Sequence, residues 1–390
     1  MSTTDLAPDS PVLADQAGAW AGAYVHIPFC ARVCPYCDFA VVEGRDDSAD
    51  AYLSALESEI ARRPPWRPLD AVFFGGGTPS RFGAHRLAGA LAALARHYGL
   101  AGSAEVTLEA NPEDWSAELS DALVGAGFTR VSFGAQSFDP LVLAELGRRH
   151  GPADISRAVG IARQSAFGSV SLDLIFGTNG ESAAMWRSSV EAAVALEPDH
   201  ISCYALTVER GTPLGRAVAG GEPGPDPDLQ ADQYEMAAVL LGAGGLARYE
   251  VSNWALPGHV CRYNLAVWAQ GEYEAFGNGA HGFRDGVRFR NVRRLDAYLD
   301  RVDAGESPRV GAEPMTPWET EVDRLFVGLR RTAGVAHGPG VVALLSSSEG
   351  AHLREAGLIS YTGGRLRVTN PLLTDEVERA VLVLVPPPGA

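Results

Sequence analysis

Three of the five cysteines lie within eight residues, at Cys30, Cys34 and Cys37. This C-x3-C-x2-C spacing puts three thiolates on one short loop, and thiolates are the ligands of iron–sulfur clusters. Three ligands on a four-iron cluster leave one iron open for a molecule that reacts. A zinc site is the alternative, but structural zinc sites close with a fourth Cys or His at short spacing. None follows nearby and only His26 stands upstream, so the spacing favours a [4Fe–4S] cluster.

The remaining cysteines indicate a reducing environment. Cys203 and Cys261 lie far from the triplet and from each other, so no disulfide framework is expected. The first residues are acidic, whereas a signal peptide would begin with positive charge. No apolar run reaches the length of about 18 residues that a membrane span needs. The sequence therefore predicts a cytoplasmic protein that is not an integral membrane protein.

Composition narrows the function further. The chain has 390 residues, of which 46% are hydrophobic, enough for one large domain of roughly 250 residues and a smaller one. The net charge of −16 argues against nucleic acid as a partner, because such surfaces need clustered positive charge. All 32 basic residues are arginine. The chain therefore has no lysine for a pyridoxal phosphate Schiff base or for a P-loop.

Short apolar segments alternate with amphipathic segments through the first half of the chain. The expected strands span residues 24–27, 71–74, 105–109, 130–136, 170–176 and 200–206. The expected helices between them span residues 50–62, 85–98, 116–126 and 183–196. This alternation is typical of a parallel α/β sheet covered by helices. Polar residues at the strand ends favour a TIM-like barrel or partial barrel over an open, doubly wound sheet.

Those polar residues are candidates for the site that the cysteines begin. Period-two alternation puts Ser171, Asp173 and Ile175 on the face of their strand that the helices do not cover. Glu109 and Gln136 each end a strand, and α/β barrels build their sites at the carboxyl ends of strands. The alternative is that each carboxylate pairs with an arginine inside the barrel, since buried charges need partners.

A glycine-rich segment follows the second expected strand. Residues 72–80 read Val-Phe-Phe-Gly-Gly-Gly-Thr-Pro-Ser, and consecutive glycines let a ligand approach the backbone closely. The segment is not a phosphate-binding P-loop, because the Gly-Lys-Ser/Thr ending is missing. A glycine triplet alone is weak evidence, but here it follows the cysteine loop by about 40 residues.

Together, these motifs resemble the radical S-adenosylmethionine (SAM) superfamily, and within it the HemN/HemW family of oxygen-independent coproporphyrinogen III oxidases and haem chaperones. The resemblance runs from about Tyr24 to the C-terminal part of the chain. Besides the cysteine and glycine motifs, it rests on Leu-Glu-Ala-Asn-Pro (108–112), Phe-Gly-Ala-Gln-Ser-Phe (133–138), Leu-Gly-Arg-Arg-His (146–150) and Leu-Asp-Leu-Ile-Phe-Gly (172–177).

The resemblance implies cofactors and the residues that hold them. Cys30, Cys34 and Cys37 would bind the cluster, whose open iron is chelated by SAM in this family. The residues implied around the first SAM are Tyr24, Gly76 and Glu109. The residues that match contacts to a second SAM in the family's oxidases are Tyr36, Gly77, Thr78, Gln136, Arg148 and Asp173. Arg148 suits a carboxylate by its bidentate geometry, although a salt bridge to Asp139 or Glu145 is the alternative.

The resemblance also implies how the chain is divided. The expected fold is α/β, a partial (β/α)6 TIM-like radical SAM barrel with a small C-terminal α+β domain. The expected parts are a flexible tail (1–20), the radical SAM core barrel (21–245), a post-barrel extension (246–312) and a C-terminal domain (313–390). In that last part, helices expected at 316–331, 341–345 and 351–356 precede a hairpin over 358–369 that turns at Gly363–Gly364. This order resembles a winged helix.

Two departures separate the branches of the family. The oxidases usually carry another cysteine two positions after the third cluster ligand, and here Phe39 stands there. They also usually have a longer N-terminal segment, whereas 23 residues precede Tyr24 here. Both departures favour the HemW-like branch of haem chaperones. A coproporphyrinogen III oxidase, which decarboxylates propionates to vinyl groups, is the first alternative, and a HemN-like radical SAM methyltransferase is the second.

A post-barrel motif marks the candidate haem region. HemW-like proteins carry His-Asn-x-x-Tyr-Trp, and the matching segment here is Cys-Arg-Tyr-Asn-Leu-Ala-Val-Trp (261–268). Asn264 and Trp268 match, whereas Tyr263 replaces the histidine and Val267 the tyrosine. Tyrosine and cysteine can both ligate haem iron, so the candidate ligands are Cys261, Tyr263 and nearby His259. A buried tyrosine with a satisfied hydroxyl is the alternative for Tyr263. His281 also matches a family motif, with a turn-lining role as its alternative.

The resemblance implies partners as well. The bound molecule would be haem or a porphyrinogen, and an electron donor such as flavodoxin or ferredoxin would reduce the cluster. A haem-accepting respiratory protein is the expected recipient.

Overall fold

The computed structural model describes residues 6–386. Its strands are β1 (Gly22–Ile27), β2 (Phe29–Cys30), β3 (Val42–Glu43), β4 (Leu69–Gly76), β5 (Leu100–Ala110), β6 (Arg130–Gln136), β7 (Ser169–Phe176), β8 (His200–Ala205), β9 (Ala247–Arg248), β10 (Asn253–Ala255), β11 (Tyr273–Phe276), β12 (His281–Arg284), β13 (Val287–Asn291), β14 (Arg309–Pro314), β15 (Val335–Ala336), β16 (Ile359–Thr362) and β17 (Arg365–Val368).

The helices cover the strands and build the C-terminal part. They are α1 (Pro11–Ala17), α2 (Ala49–Arg62), α3 (Pro79–Phe82), α4 (Ala84–Tyr98), α5 (Ala117–Ala126), α6 (Pro140–Glu145), α7 (Pro152–Gln164), α8 (Ala183–Ala195), α9 (Pro213–Ala219), α10 (Pro227–Ala243), α11 (Arg262–Trp268), α12 (Leu295–Asp303), α13 (Pro317–Gly328), α14 (Pro339–Ser346), α15 (Ser348–Glu355) and α16 (Thr374–Leu382). Over residues 6–386, none of these helices combines the length and the apolar character needed to cross a bilayer.

One sheet of twelve strands organises the protein. Its order is β14-β13-β12-β11-β1-β4-β5-β6-β7-β8-β10-β9. The seven strands from β11 to β8 are parallel, and antiparallel strands extend both edges. The six strands expected from the sequence are the consecutive row β1, β4, β5, β6, β7 and β8. Helices connect them on the outside, so the α/β fold and the partial TIM-like barrel are confirmed.

Side-chain patterning explains why these segments pack this way. In α4, Leu87, Leu91 and Leu94 recur at helical spacing and are fully or almost fully buried against the sheet. In β7, Leu172 and Leu174 are buried in the same core, while Asp173 between them faces the inside of the barrel. The outer face of each strand therefore anchors helices, and the inner face is free to carry polar groups.

The stretch expected as a post-barrel extension, residues 246–312, joins the main sheet at both edges. Strands β9 and β10 add to the β8 edge. Strand β11 pairs in parallel with β1, and β12 to β14 follow it outward. The boundary expected between residues 312 and 313 falls inside β14, because that strand continues to Pro314 to pair with β13. This pairing is long-range and leaves no local signal.

The expectation of a flexible tail over residues 1–20 is wrong for part of that stretch. Residues 1–5 lie outside the described range, but α1 forms and buries Leu13 and Ala17. Its Asp15 carboxylate accepts two hydrogen bonds from Arg365, at 2.9 and 2.8 Å. Arg331 donates to the Ala14 carbonyl at 2.8 Å. Partners more than 300 residues away stabilise this short helix, and composition alone does not reveal them.

The C-terminal part has a core of its own. Leu325, Val341, Leu353 and Leu366 belong to a buried cluster separate from that of the main sheet. Helices α13, α14 and α15 and the β16–β17 hairpin lie where the sequence predicts them, and β15 completes a three-stranded sheet with the hairpin. The order helix, strand, two helices, hairpin is that of a winged-helix-like unit. Residues 387–390 of the expected domain lie outside the described range.

Candidate cofactor site

The cysteine loop opens where β1 ends. Strand β2, which ends in Cys30, pairs in parallel with β3, so the two ends of the loop are held together. Inside the loop, the Cys37 N–H donates to the Cys34 carbonyl at 3.1 Å. All three cysteines line one cavity of about 490 Å³, which is surrounded by the ends of β4 to β8. Three thiols and the carboxyl ends of five strands therefore face the same space.

The three thiols stand around this cavity and do not meet at one point. Among residues 6–386, no three His, Cys, Asp or Glu side chains converge as the ligands of a single metal ion would. A four-iron cluster takes each thiolate on a different iron, so separated thiols fit it. Burial raises the pKa of Cys30 to about 11; ligation requires the thiolate, which the positive charge of bound iron favours.

Two polar side chains already contact the sulfurs. The Thr78 hydroxyl donates to Cys30 Sγ at 3.7 Å, and Arg148 Nη1 donates to Cys34 Sγ at 3.7 Å. Donors and positive charge beside the ligands stabilise the negative charge of a thiolate-bound cluster. The second terminal nitrogen, Nη2, donates to the Asn111 side-chain oxygen at 2.6 Å and to the Gly134 carbonyl at 3.1 Å. Neither alternative salt bridge of Arg148, to Asp139 or Glu145, is present.

The glycine segment brings bare backbone to the cavity. Gly76 ends β4 with φ of +110°, a left-handed conformation that favours glycine. A Cβ atom there would lie 2.4 Å from the His26 ring, and one on Gly77 would lie 2.8 Å from the carbonyl carbon of Pro28. Any larger side chain would displace β1. The close packing explains why the sequence has glycines here, and Gly76 and Gly77 both line the cavity.

Two carboxylates face the cavity from neighbouring strand ends. Glu109 accepts a hydrogen bond from the Gly76 N–H at 3.1 Å, and Ser132 donates to both oxygens of Asp173, at 3.1 and 3.0 Å. Burial and the charge of Asp173 raise the pKa of Glu109 to about 8. Burial also raises the pKa of Asp173. Neither carboxylate forms a salt bridge within residues 6–386, so both are available to a positively charged ligand.

The residues that match second-SAM contacts all line this same cavity. They are Tyr36, Gly77, Thr78, Gln136, Arg148 and Asp173. Gln136 has φ of +62°, and the register between β6 and β7 shifts at this position. Such an irregularity redirects a side chain at a strand end. The structure thus brings six sequence-predicted positions together with the three cysteines, Gly76 and Glu109.

Tyr24 is the exception. Its ring stacks on Phe73, with ring centres 6.2 Å apart, and its hydroxyl lies 3.3 Å from His26 Nδ1. Burial lowers the pKa of His26 to about 4, so this imidazole is neutral. Tyr24 lines a second cavity of about 570 Å³, which shares Asp38 and Phe39 with the first. Its contact with SAM stays a prediction.

Several further polar residues of the first cavity were not assigned from the sequence, and three of them extend the network around it. Asn111, Arg130 and His200 all line it. The Asn111 amide donates to Thr78 Oγ1 at 3.3 Å and accepts from Arg148, so it couples the glycine segment to the guanidinium. The sequence could have indicated Asn111 as a site residue, because it lies within the Leu-Glu-Ala-Asn-Pro motif. Arg130 and His200 begin their strands, and only the barrel geometry reveals that they reach the cavity.

The four candidate haem residues lie at different places in the structure. Cys261 and Asn264 line the first cavity, where burial raises the pKa of Cys261 to about 12. Tyr263, one residue earlier than Asn264 on α11, lines the second cavity. Trp268 packs beneath the guanidinium of Arg330, 4.9 Å from its ring centre, at the C-terminal part of the chain. These four residues do not form one site, and their haem roles stay predictions.

Comparison with known proteins agrees with this geometry. The family model described as Radical SAM superfamily matches residues 24–193. The chain is 39% identical to the heme chaperone HemW of Mycobacterium tuberculosis over 384 residues, covering 95% of this chain and 97% of the relative. It is 35% identical to HemW of Bacillus subtilis, covering 80% and 84% of the two chains. It is also 35% identical to the mitochondrial radical S-adenosyl methionine domain-containing protein 1 of Bos taurus, covering 85% and 77%.

A solved structure shares the fold over almost the whole chain. Coproporphyrinogen III oxidase (HemN) from Escherichia coli, a radical SAM enzyme, superposes with a TM-score of 0.79. The alignment covers 95% of this chain and 93% of that one, at 20% sequence identity. At that identity the likeness concerns the fold.

Proposed function

The chain belongs to the HemW family of the radical SAM superfamily, and we propose that it is a haem chaperone that carries a [4Fe–4S] cluster and SAM. The observation that carries the proposal is the 39% identity to a heme chaperone HemW over 95% of the chain. Phe39, in the position where the oxidases carry a further cysteine, supports the same branch.

The first cavity supports the cofactor assignment residue by residue. Cys30, Cys34 and Cys37 would hold the cluster, and Arg148 would balance its charge from beside Cys34. When bound, the cluster supplies an electron for the reductive cleavage of SAM. The backbone of Gly76 and Gly77 would bind the SAM that chelates the open iron.

The two carboxylates have a separate role in this proposal. Glu109 and Asp173 present negative charge to the sulfonium and ammonium groups of SAM, and opposite charges attract more strongly in a partly buried cavity than in bulk water. A bound cation would also favour the ionised form of Glu109, whose pKa lies near 8 without it. SAM binding should therefore strengthen as pH rises toward that value.

One observation favours oxidase activity as the second candidate. All six positions that match second-SAM contacts line the cavity that contains the cysteines. A second SAM there would serve oxidative decarboxylation of coproporphyrinogen, and in a HemN-like methyltransferase it would serve as the one-carbon source. The chaperone proposal is preferred, because relatives of that name match along nearly the full chain.

The proposal extends to partners and location. Reduction of the cluster needs a small electron donor such as flavodoxin or ferredoxin, and haem would pass to a respiratory acceptor protein. All five cysteines are free thiols, which supports a reducing compartment such as the cytoplasm.

Anaerobic reconstitution tests the proposal. The protein is loaded with iron, sulfide and SAM, titrated with haem and, in parallel, assayed with coproporphyrinogen III and a reductant. We expect stoichiometric haem binding and no sustained turnover. Robust formation of protoporphyrinogen, without haem binding, would establish the oxidase instead.

A further inference from the structure

The second cavity has no assigned role. It holds about 570 Å³, within the range of pockets that enclose cofactor-sized ligands. It lies between β1, α11 and the strands β11 to β13, which residues 246–312 add to the sheet. Asp38 and Phe39 of the cysteine loop line it as well as the first cavity, so these two residues stand between the two cavities. Phe39 is 60% exposed.

One wall of this cavity is aromatic. Tyr24, Tyr263 and Tyr273 all line it. The Tyr263 ring stands 6.1 Å from that of Tyr24 and 5.6 Å from that of Tyr273, the latter edge to face. Tyr263 also packs over Gly22, where a Cβ atom would lie 3.4 Å from its ring. Mutual packing fixes these rings, so the wall offers a preorganised surface to a flat, largely apolar ligand.

Another part of the lining is basic. Arg290 and Arg293 line the cavity from β13 and the residues after it. Within residues 6–386 neither guanidinium forms a salt bridge, although the chain carries a net charge of −16. Arg288, two residues from Arg290, is by contrast paired with Asp323 at 2.6 Å. A Cβ on Gly311 of the neighbouring strand would lie 3.1 Å from Arg290 Nε, so the glycine leaves room for this side chain beside the cavity.

A histidine completes this basic part of the lining. His281 opens β12, pairs in register with Arg290 on β13 and lines the cavity. An imidazole nitrogen can ligate iron.

We propose that the second cavity is the haem site, with the tetrapyrrole against the tyrosine wall, its propionates on Arg290 and Arg293, and its iron bound by His281. Guanidinium groups bind carboxylates in a bidentate manner, and histidine is a common axial ligand of haem. The inference rests on the proposed haem-binding function and gives it a place outside the SAM cavity. Phe39 and Asp38 of the cysteine loop would separate the porphyrin from the cluster. Tyr263 would act as a wall of the site and not as an iron ligand.

Titration with two ligands distinguishes the role of the two arginines from that of His281. The reconstituted protein is titrated with haem and, separately, with metal-free protoporphyrin IX, which has the propionates but no iron. For the double variant Arg290→Gln/Arg293→Gln we expect affinity for both ligands to fall by about ten- to a hundredfold, since two charge-assisted hydrogen-bonding groups are lost. For His281→Ala we expect a changed absorption spectrum of ferric haem and protoporphyrin affinity within about twofold of wild type.

Matched controls use the same residue types outside the cavity. Arg294→Gln changes an exposed arginine next to Arg293, and His85→Ala changes an exposed histidine on α4; both should bind haem as wild type does. Wild-type haem binding that survives unchanged in the double arginine variant would overturn the cavity assignment while leaving the chaperone proposal intact. An unchanged haem spectrum in His281→Ala would overturn the ligand assignment. Failure of the wild-type protein to bind haem at all would overturn both proposals.

Discussion

Replacing Glu109 by glutamine measures how much the carboxylate that faces the SAM cavity lowers the free energy of unfolding. Burial and Asp173 raise the pKa of Glu109 from 4.5 to about 8. In the unfolded chain this group ionises at lower pH than in the folded protein. As pH rises from about 4.5 to about 8, the folded state therefore holds the extra proton, and the free energy of unfolding falls. Glutamine carries no charge and avoids this loss.

The magnitude follows from the same values. A rise from 4.5 to about 8 corresponds to about 5 kcal/mol in total, at 1.36 kcal/mol per pKa unit. Proteins tend to precipitate near their isoelectric point, which is about 5.0 for this chain, so the measurement starts at about pH 6. At that pH, part of the loss in the free energy of unfolding has already occurred. Water in the cavity screens the remainder, so we expect Glu109→Gln to gain about 2 kcal/mol over wild type between about pH 6 and about pH 8.5.

Urea unfolding of the cluster-free protein across this pH range provides the assay. The control is Glu222→Gln, which changes an exposed glutamate on the loop before α10, and it should track wild type at every pH. A stability difference between Glu109→Gln and wild type that does not change with pH would show that the cavity does not disfavour the charge of Glu109.

Two other substitutions test contacts of the described structure. Arg148→Lys removes the planar group that bridges Asn111 and the cluster loop. We expect SAM affinity, measured by equilibrium dialysis, to fall about tenfold or more while the iron content stays unchanged. An equal loss of SAM affinity and of iron would refute a specific role of Arg148 in SAM binding. Arg365→Gln breaks the ion pair to Asp15 and leaves two backbone carbonyls without their donor. We expect urea unfolding to show a loss of about 2–4 kcal/mol, against almost none for the exposed control Arg294→Gln.

Much of the first cavity was predictable because its signals are local. The three cysteines follow one another within a single loop, and the glycine segment immediately ends a strand. Period-two alternation in β7 correctly assigned Asp173 to the inner face, since that pattern depends only on neighbouring residues. The same strand logic predicted that Glu109 and Gln136 would face the cysteines.

The second cavity was not predictable, because distant segments form its walls. Tyr24 belongs to the first strand, whereas Tyr263, His281 and Arg290 come from a stretch interpreted as an appendage to the barrel. Parallel pairing of β11 with β1 brings them together, and no periodicity in the sequence encodes that pairing. The motif at residues 261–268 predicts one haem region, but successive side chains of α11 point to different surfaces, since a helix turns by about 100° per residue.

Electron paramagnetic resonance of the reduced, reconstituted protein tests the central claim most directly, namely that three cysteines hold a four-iron cluster whose open iron binds SAM. We predict a [4Fe–4S]⁺ signal in the wild-type protein that changes when SAM is added, and no such signal after replacement of Cys30, Cys34 or Cys37 by alanine. Cys203→Ala, which removes a buried thiol outside the loop, should retain both the signal and its response. A wild-type cluster whose signal is indifferent to SAM would contradict the claim, because a fourth ligand would then occupy the open iron.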